Sequence, residues 1–482
     1  MPKANDGGEG AAASPRALRI LHVAPYYHPS VGGLQAHVKA ISEELAARGH
    51  EVTVFTERLA GTYRHRAEAR APSRERINGV DVRRFAAFPA IPRPVLDIPG
   101  AYRIARTGLG AERYRMLADG PWLPHAVAAA ARLKPDVIMV VSAESEALLY
   151  QFSLLRYLSS VRLVALPLLH LEYPWSHSPL IARYLSRFHC VIANTEYERE
   201  FIDRACLNRP RTCAIGAGVN PVAFRHRDGR AIRERYGLAN DKVVAYMGRL
   251  EPEKGVVKLV EAMRIVWRSA PTTRLLLAGH RHVTGSAPDR AVAAALDALT
   301  PSERSRLTVI EGFAESDKAA IFDACDVFAM PSKAESFGIV YLEAWMCEKP
   351  VIGARIGAVQ CVIDHGQDGL LVNPHDAAEI AESILRLVRD ESFSRQLGLR
   401  GREKAMNRFT WERVTDAVET AYADALGQSA VHVGWRSGGP LLAAVIDPLN
   451  SSRLSVGDLV AAGQCLLDRS AETVMRWIGY GL

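Results

Sequence analysis

Short apolar runs alternate with amphipathic stretches along most of the chain, and polar or glycine-rich loops separate them. In the first half, strand-like runs cover Leu18–Ala24, Glu51–Thr56, Asp136–Val141, Val161–Leu169 and Cys190–Thr195. Apolar residues recur at helical spacing between these runs, at Gln35–Arg48, Pro124–Leu133, Ala147–Leu158 and Glu196–Ala205. Strands that alternate with helices predict a mostly parallel sheet covered by helices.

The same rhythm restarts after the turn-rich stretch Gly216–Pro221, which is typical of a linker. The predicted strands are Val243–Met247, Arg274–Gly279, Leu307–Ile310, Val327–Met330 and a run from Val351. The predicted helices are Val256–Ser269, Asp317–Ala324, one from Gly338, Ala377–Asp390, Ser392–Asn407 and Thr410–Ala425. Gly366–Val372 resembles a hairpin-like return. With 482 residues the chain is too long for one core, so we expect an α/β protein of two domains.

Composition narrows the class of protein only slightly. Hydrophobic residues make up 48% and charged residues 23%, as in a soluble globular protein. The net charge of +7 is compatible with phosphate ligands or an anionic membrane surface, although many solvated surfaces carry as much. Seven cysteines without a Cys-x-x-Cys pair predict small buried thiols in a reducing compartment, with no metal site.

The termini bear on location. Residues 1–16 lack the apolar core of a signal peptide, and we interpret them as a disordered tail. No stretch approaches the roughly 20 apolar residues that span a bilayer. We therefore expect a cytoplasmic protein, with the inner face of the membrane as a contact surface to be tested. Residues 430–482 form an extension that is either a packed or disordered appendage or a contact for a partner or membrane.

Two stretches of the first half leave alternatives open. Arg58–Arg84 contains eight arginines and three acids, which suits either an anionic acceptor or lipid headgroup, or simply a solvated mobile loop. Ile91–Arg115 combines prolines with scattered aromatic residues and predicts an irregular segment near an acceptor site.

Candidate chemistry concentrates where predicted strands meet helices. The loop Gly248–Gly255 places Arg249 and Lys254 at such a junction, and both side chains suit phosphate oxygens. Glu335 precedes the next helix and Glu343 lies eight residues further, inside it. A loop before a helix offers free backbone N–H groups and the positive end of the helix dipole to an anion. In the first half, Gly32-Gly33 precedes a helix and His170 follows a strand, where open α/β sheets bind ligands.

These features together resemble the retaining, family-4 type of glycosyltransferase (glycosyl transferases group 1) with the GT-B fold. The resemblance rests on Gly248–Gly255, on Glu335 and Glu343 with Phe337-Gly338 between them, on Gly32-Gly33, on His170 and on Gly366–Val372. It covers roughly residues 17–425. It implies two Rossmann-like domains facing across a cleft, at 17–217 for the acceptor and 218–408 for the donor, with a helix at 409–429 crossing back to the first domain.

The resemblance also implies a role for each candidate residue. Arg249 and Lys254 would grip the diphosphate of a UDP-, GDP- or ADP-sugar donor, without a metal or other cofactor. Glu335 and the backbone at Ser336, Phe337 and Gly338 would hold the donor sugar, and Glu343 the ribose. The remaining contacts would come from His170 near the sugar, Gly32 and Gly33 beside the diphosphate, and Phe313 beside the base. The acceptor would be a glycan or lipid-linked glycoside, and nucleic acid is not expected to bind.

Three positions depart from the family pattern. Cys361 stands where the family often has an acid, Asn220 where it often has Asp, and Glu348 where it often has Gly.

Two other functions remain open at the level of sequence. One is a nucleotide-sugar epimerase of similar fold, and the other is a catalytically silent nucleotide-sugar-binding scaffold. A phosphorylase would need a lysine site for pyridoxal phosphate, and no feature of the sequence marks one.

Overall fold

The computed structural model describes residues 16–30, 32–62, 65–87, 121–142, 146–206, 209–238, 240–279 and 287–428. The expectations for residues 1–15, for Ile91–Arg115 and for residues 430–482 lie outside the described residues, as does Cys465. The other six cysteines are free thiols.

Two predominantly parallel sheets organise the chain. The first has eight strands in the order β10-β9-β8-β7-β1-β2-β6-β5, and the second has six in the order β13-β12-β11-β14-β15-β16. The strands of the first sheet are Arg19–Val23 (β1), Glu51–Glu57 (β2), Arg74–Ile77 (β5), Val80–Phe85 (β6), Val137–Val141 (β7), Arg162–Leu166 (β8), Cys190–Ala193 (β9) and Arg211–Ala214 (β10). Leu59–Thr62 (β3) and His65–Arg70 (β4) form a separate antiparallel pair.

The second sheet contains Val243–Met247 (β11), Arg274–Ala278 (β12), Leu307–Ile310 (β13), Val327–Met330 (β14), Val351–Ala354 (β15) and Gly369–Val372 (β16). All of its strand pairs are parallel, and in the first sheet β5 alone runs antiparallel to its neighbour. In both sheets the strand order reverses beside the first strand, between β1 and β7 and between β11 and β14. Such switch points leave a crevice at the carboxyl ends of the strands, where doubly wound sheets bind ligands.

Helices cover both sheets. They span Gly33–Ala47, Pro124–Leu133, Glu146–Ser153, Leu155–Leu158, Pro179–Leu185, Glu196–Ala205, Gly229–Arg235, Val256–Ser269, Ala287–Asp297, Pro301–Arg304, Lys318–Ala324, Ile339–Met346, Gly357–Gln360, Ala377–Arg389, Glu391–Arg408 and Trp411–Gly427. Short 3-10 turns lie at Pro174–His177, Pro221–Phe224, Pro252–Lys254 and Glu315–Asp317. The predicted two-domain α/β fold is confirmed.

Three sequence predictions need correction. The hairpin-like return at Gly366–Val372 is wrong, because β16 pairs in parallel with β15 after a turn at Gly366. The predicted strand Val161–Leu169 ends at Leu166, since Pro167 follows and Leu168 takes a positive φ of 54°. The predicted helix Ala147–Leu158 is two helices that meet at Leu154.

Alternation along β1 shows how the first core is built. Leu21 and Val23 pack into a cluster on one side of the sheet, while Ile20 and Ala24 pack into a cluster on the other. Successive side chains of a strand point to opposite faces, so a strand buried on both faces is apolar at most of its positions. In the second domain, one large cluster of buried hydrophobic residues, which includes Tyr246 and Trp345, packs around the sheet.

The last helix belongs to the first core. Val414, Val418 and Tyr422 of Trp411–Gly427 are buried in the same cluster as Ile20. The Tyr422 hydroxyl lies 2.8 Å from Nε2 of buried His22. Where the chain leaves the second domain, Thr410 pairs with Val219, so the two crossings between domains run side by side.

Candidate active site

Two loops meet at the switch point of the second sheet. The loop after β11 closes with the turn Pro252–Lys254, and the loop after β14 runs from Pro331 to Gly338. The backbone N–H of Lys333 donates to the carbonyl of Glu253 at 2.7 Å. Gly255 has a φ of 82°, and a Cβ there would stand 2.1 Å from the carbonyl oxygen of Pro331. The close packing therefore requires glycine and fixes the two loops against each other.

Lys254 and Glu335 form an ion pair across this junction. Nζ of Lys254 lies 2.6 Å from Oε1 of Glu335 and donates to the carbonyl of Ala334 at 3.3 Å. The two side chains are only 15% and 11% exposed. Charges in so shielded a place interact more strongly than on an open surface. The sequence alone did not predict this contact, because 81 positions separate the two residues.

Arg249 lies five residues before Lys254 in the same loop. Its side chain is 56% exposed and its Nη1 lies 2.9 Å from Oε1 of Glu251. The hydroxyl of Tyr246 donates to the Arg249 carbonyl and anchors the backbone below. Arg249 therefore presents a positive charge near the loop junction on a side chain that remains accessible to a ligand.

The loop after β14 ends in a helix start. Gly338 adopts a φ of 95° and precedes Ile339–Met346. Ser336 is half-buried, whereas Phe337 is buried and packs edge-to-face on Phe409 at 5.4 Å between centroids. The first N–H groups of a helix have no partner within it, so they are free to bind an oxygen.

Glu343 has a lysine partner of its own inside the second domain. Nζ of Lys318 lies 2.9 Å from Oε1 of Glu343 and 2.6 Å from Oε1 of Glu315. Burial disfavours the charged form of Lys318, but the two carboxylates outweigh it and raise the pKa of this lysine. Phe313 lies three residues after β13 and packs partly against the same core.

The first domain presents His170 to the ion pair. His170 stands four residues beyond β8, and its carbonyl accepts a hydrogen bond from the Ser176 hydroxyl at 2.8 Å. The pKa of His170 is lowered to about 4, mainly by burial and also by the charges on Lys254 and Arg249, while Glu335 acts in the opposite direction. The imidazole is therefore neutral at pH 7, and its electrostatic coupling to three residues of the second domain joins the two halves of the site.

Glu172 is a residue of this site that the sequence reasoning left without a role. Both of its carboxylate oxygens are buried, and neither makes a hydrogen bond of normal geometry within the described residues. Burial raises its pKa and the charge on Glu335 adds to this rise, while the backbone N–H groups of Glu172 and Glu335 and the charge on Lys254 act against it. The signal available in the sequence was its position two residues after His170, in the same loop.

Gly32 and Gly33 lie after β1, at the switch point of the first sheet. Gly33 begins the helix Gly33–Ala47, and a Cβ built on Gly33 meets no atom within 4 Å. The open space is compatible with a ligand near this backbone. The donor-binding roles of Gly32, Gly33, Phe313 and Ser336 stay predictions.

The departures from the family pattern have local explanations. Glu348 takes a positive φ of 57°, a conformation that glycine adopts without cost, which accounts for a glycine preference at this position. Cys361 follows the short helix Gly357–Gln360, and its thiol donates to the Gly357 carbonyl at 3.5 Å. Oδ1 of Asn220 accepts from the Val222 N–H at 3.0 Å and caps the turn that follows.

The described residues contain neither a cluster suited to a metal ion nor a helix suited to span a membrane. Within the described ranges, no group of three or more His, Cys, Asp or Glu side chains is arranged to hold a metal ion. In the same part of the chain, no helix has the length and apolar character needed to cross a membrane.

Comparison with known proteins agrees with this geometry. The family profile "Glycosyl transferases group 1" matches residues 228–404, and "Glycosyl transferase 4-like domain" matches residues 32–218. D-inositol 3-phosphate glycosyltransferase of Mycobacterium tuberculosis is 30% identical over 436 residues, which cover 87% of this chain and 85% of that protein. Its Mycobacterium marinum counterpart is 29% identical over 425 residues, covering 85% and 86%.

Solved structures show the same fold. Sucrose-phosphate synthase from Thermosynechococcus elongatus superposes with a TM-score of 0.67 at 24% identity, covering 85% of this chain and all of that one. Anabaena Alr3699/HepE in complex with UDP-glucose superposes with a TM-score of 0.64 at 22% identity, covering 84% and 99%. The two profiles and the curated relatives show that the chain belongs to glycosyl transferases group 1, the GT4 type with the GT-B fold, and is a glycosyltransferase that uses nucleotide sugars.

Proposed function

We propose that the protein transfers a hexosyl group from a nucleotide-diphosphate hexose to a hydroxyl of a glycan or lipid-linked acceptor, with retention of anomeric configuration. The observation that carries this proposal is the shielded Lys254–Glu335 pair at the junction of two switch-point loops, faced by neutral His170. UDP, GDP and ADP donors are all compatible with this arrangement.

The demanding event is departure of the nucleoside diphosphate. The bond between the anomeric carbon and the phosphate oxygen breaks, and its electron pair stays on that oxygen. Lys254, Arg249 and the N–H groups at the start of Ile339–Met346 would stabilise the growing negative charge. Because these cations already stand near the loop junction, little reorganisation is needed as the charge develops.

We propose that retention proceeds by same-face attack, without a covalent glycosyl-enzyme intermediate. Glu335 is held by Lys254 at 2.6 Å and would accept hydrogen bonds from the donor sugar. The acceptor hydroxyl would attack from the face that the phosphate leaves, and its proton would pass to the departing phosphate oxygen. His170 would bind a sugar hydroxyl as a neutral hydrogen-bonding group, since its lowered pKa keeps it uncharged.

Glu172 favours an acceptor that is uncharged where it contacts the protein. Its carboxylate is buried, lacks a hydrogen bond of normal geometry within the described residues and comes from the first domain. A buried carboxylate that makes no hydrogen bond of normal geometry is costly, and a sugar hydroxyl would supply a well-placed donor. A phosphate group in the same place would meet a like charge. We therefore infer that Glu172 accepts a hydrogen bond from an acceptor hydroxyl.

A second candidate acceptor is a phosphorylated polyol. The curated relatives carry the name D-inositol 3-phosphate glycosyltransferase and match over 85% of this chain or more. Such an acceptor would have to direct its phosphate away from Glu172. A lipid-linked acceptor would bring the enzyme to the inner face of the membrane.

A product assay tests the reaction. The full chain is incubated with UDP-, GDP- or ADP-hexoses and with neutral glycosides, lipid-linked glycosides or D-inositol 3-phosphate. The expected result is release of nucleoside diphosphate that depends on the acceptor, together with a glycoside that NMR shows to have the donor's anomeric configuration. Epimerised nucleotide sugar formed without an acceptor would identify an epimerase, and donor binding without product across the panel would identify a scaffold.

Glu172→Gln tests the acceptor assignment separately. We expect it to raise KM for a neutral acceptor about tenfold while donor affinity stays unchanged, because one charge-assisted hydrogen bond is lost. Glu200→Gln, a change of the same kind at a side chain that is 57% exposed, is the matched control. An unchanged KM for the neutral acceptor in Glu172→Gln would show that Glu172 does not contact the acceptor.

A further inference from the structure

A second cavity lies at the end of the first sheet opposite the candidate active site. It measures about 650 Å³, with Ser186 and His189 in its lining and with Arg156, Arg187, Arg209 and Arg211 around them. His189 immediately precedes β9, and Arg211 begins β10, so the cavity lies at the amino ends of these strands. His170 lies beyond the carboxyl end of β8, on the opposite side of the sheet.

Positive charge dominates this cavity. Asp424, from the last helix, is the one carboxylate among its described lining residues, and it lies 2.8 Å from Nη1 of Arg211. A further arginine, Arg162, donates to the Gln428 carbonyl at the rim at 2.7 Å. Grouping guanidinium ions in one concave site is electrostatically costly and concentrates anions there.

His189 is a buried residue of the cavity lining, close to these arginines. Its pKa is lowered to about 4, mainly by burial and also by the charges on Arg156 and Arg162. Its Nδ1 accepts a hydrogen bond from the Leu163 N–H at 3.0 Å. The neutral ring therefore carries its proton on Nε2 and adds a donor to the site.

We propose that this cavity binds a phosphate-bearing ligand, at a site separate from the one that binds the donor. Its volume lies within the roughly 300–1,000 Å³ typical of small-molecule sites. Arginine is the side chain best suited to phosphate, because its planar fork can donate two parallel hydrogen bonds. Either a soluble phosphorylated molecule or a phospholipid headgroup supplies this chemistry.

Calorimetric titration with inorganic pyrophosphate tests the site. The full chain carries Arg249→Ala and Lys254→Ala, which remove the diphosphate contacts of the candidate active site. Saturable binding is expected to remain, and to weaken about tenfold or more when Arg209→Gln and Arg211→Gln are added. Both arginines are exposed, so these changes should leave the fold intact, as circular dichroism and thermal unfolding would show.

A substitution that should strengthen pyrophosphate binding provides a second test. Asp424→Asn removes the carboxylate of the lining and is expected to tighten pyrophosphate binding about threefold. Arg204→Gln, at a side chain that is 70% exposed on the same domain, is the matched control and should change nothing. The proposal is overturned by the absence of saturable binding, or by equal affinities in the Arg209→Gln/Arg211→Gln and control proteins.

Vesicle sedimentation separates the two sources of phosphate. Binding to phosphatidylglycerol vesicles but not to phosphatidylcholine vesicles, lost in Arg209→Gln/Arg211→Gln, would assign a lipid headgroup. Pyrophosphate binding without vesicle binding would assign a soluble phosphorylated ligand. Absence of saturable pyrophosphate binding overturns the site and leaves the proposed glycosyl transfer untouched, because that reaction is measured with donor and acceptor.

Discussion

Two lysine–glutamate pairs in the second domain look alike locally and differ in position. Lys254 and Glu335 lie 2.6 Å apart, and Lys318 and Glu343 lie 2.9 Å apart, with all four side chains 20% exposed or less. The first pair joins the loops that follow β11 and β14, at the carboxyl ends of the strands. The second joins two helices and includes a second carboxylate, Glu315. Position on the sheet, rather than the geometry of the pair, indicates which of them serves chemistry.

The largest expected effect comes from replacing the lysine of each pair by alanine. Lys254→Ala should lower kcat by about 10²–10³, because it removes a cation proposed to stabilise the departing diphosphate, and Arg249→Ala should act in the same direction. Lys318→Ala should lower kcat much less, since Lys318 is not expected to touch the diphosphate. Steady-state kinetics with saturating donor checks both, with Lys258→Ala as a control because that lysine pairs with Glu261 at the surface of the same domain.

Equal losses in Lys254→Ala and Lys318→Ala would remove the distinction between the two pairs. Circular dichroism and thermal unfolding are needed beside the kinetics, because either change leaves a shielded glutamate without its partner. A wild-type rate in Lys254→Ala or Arg249→Ala would contradict the assignment of the diphosphate site.

Substitutions of the two glutamates should affect different kinetic constants. Glu343→Gln is expected to raise KM for the donor about tenfold with little change in kcat, because a bond to the ribose is equally present in ground and transition states. Glu335→Gln should lower kcat, since it disturbs both the sugar contact and Lys254. If Glu343→Gln lowered kcat and left KM unchanged, the predicted ribose contact would be wrong.

The pH dependence of the free energy of unfolding tests the lowered pKa of His170. The pKa of His170 is lowered to about 4 in the folded protein, below the 6.5 of an unperturbed histidine. The unfolded state therefore binds more protons between these values, and stability should fall as the pH drops from about 6.5 to 4. His170→Asn should remove about 1–3 kcal/mol of this loss, measured by urea unfolding at pH 7 and pH 4.5.

Other buried histidines contribute to the same acid sensitivity. Burial lowers the pKa values of His22 and His37 to about 3, and that of His189 to about 4. The variant is therefore compared with wild type at each pH, and the difference between the two isolates His170. A difference that does not change with pH would mean that the histidine titrates normally in the folded protein.

The smallest effect is expected just beyond the helix that carries Glu343. Glu348→Gly should relieve the positive φ of 57°, a gain of about 1 kcal/mol, and should lose the surface ion pair with Arg402. The two terms oppose each other, so unfolding free energy should change by less than about 1 kcal/mol. Glu348→Ala keeps the strain and loses the pair, and it should be the less stable of the two.

The sequence predicted most where the contacts are local. The strands β11 to β15 are apolar runs followed by polar loops, so Arg249, Lys254 and Glu335 were placed at strand ends from pattern alone. The β–α–β rhythm and the family resemblance also predicted the fold. The direction of β16 was misjudged, because a short apolar run after a glycine turn does not show which neighbour it will pair with.

Contacts between distant parts of the chain could not be predicted in this way. Lys318 and Glu343 are 25 positions apart on different helices, and Glu172 reaches the neighbourhood of Glu335 from the other domain. The cavity around His189 combines residues near 156, 187, 210 and 424. A single sequence shows which residue types are present, whereas the charge balance of such sites appears only after the chain is folded.

The contact between His22 and Tyr422 has a consequence for synthesis. The two residues stand 400 positions apart, yet they meet in the interior of the same domain. Domains generally fold in the order in which they leave the ribosome. Here the first domain emerges almost whole but lacks its last helix, so its apolar surface around Ile20 stays uncovered until the entire second domain has been translated. The buried members of the second domain's core cluster all lie between Ala217 and Phe409, so this domain is the one positioned to complete its folding first.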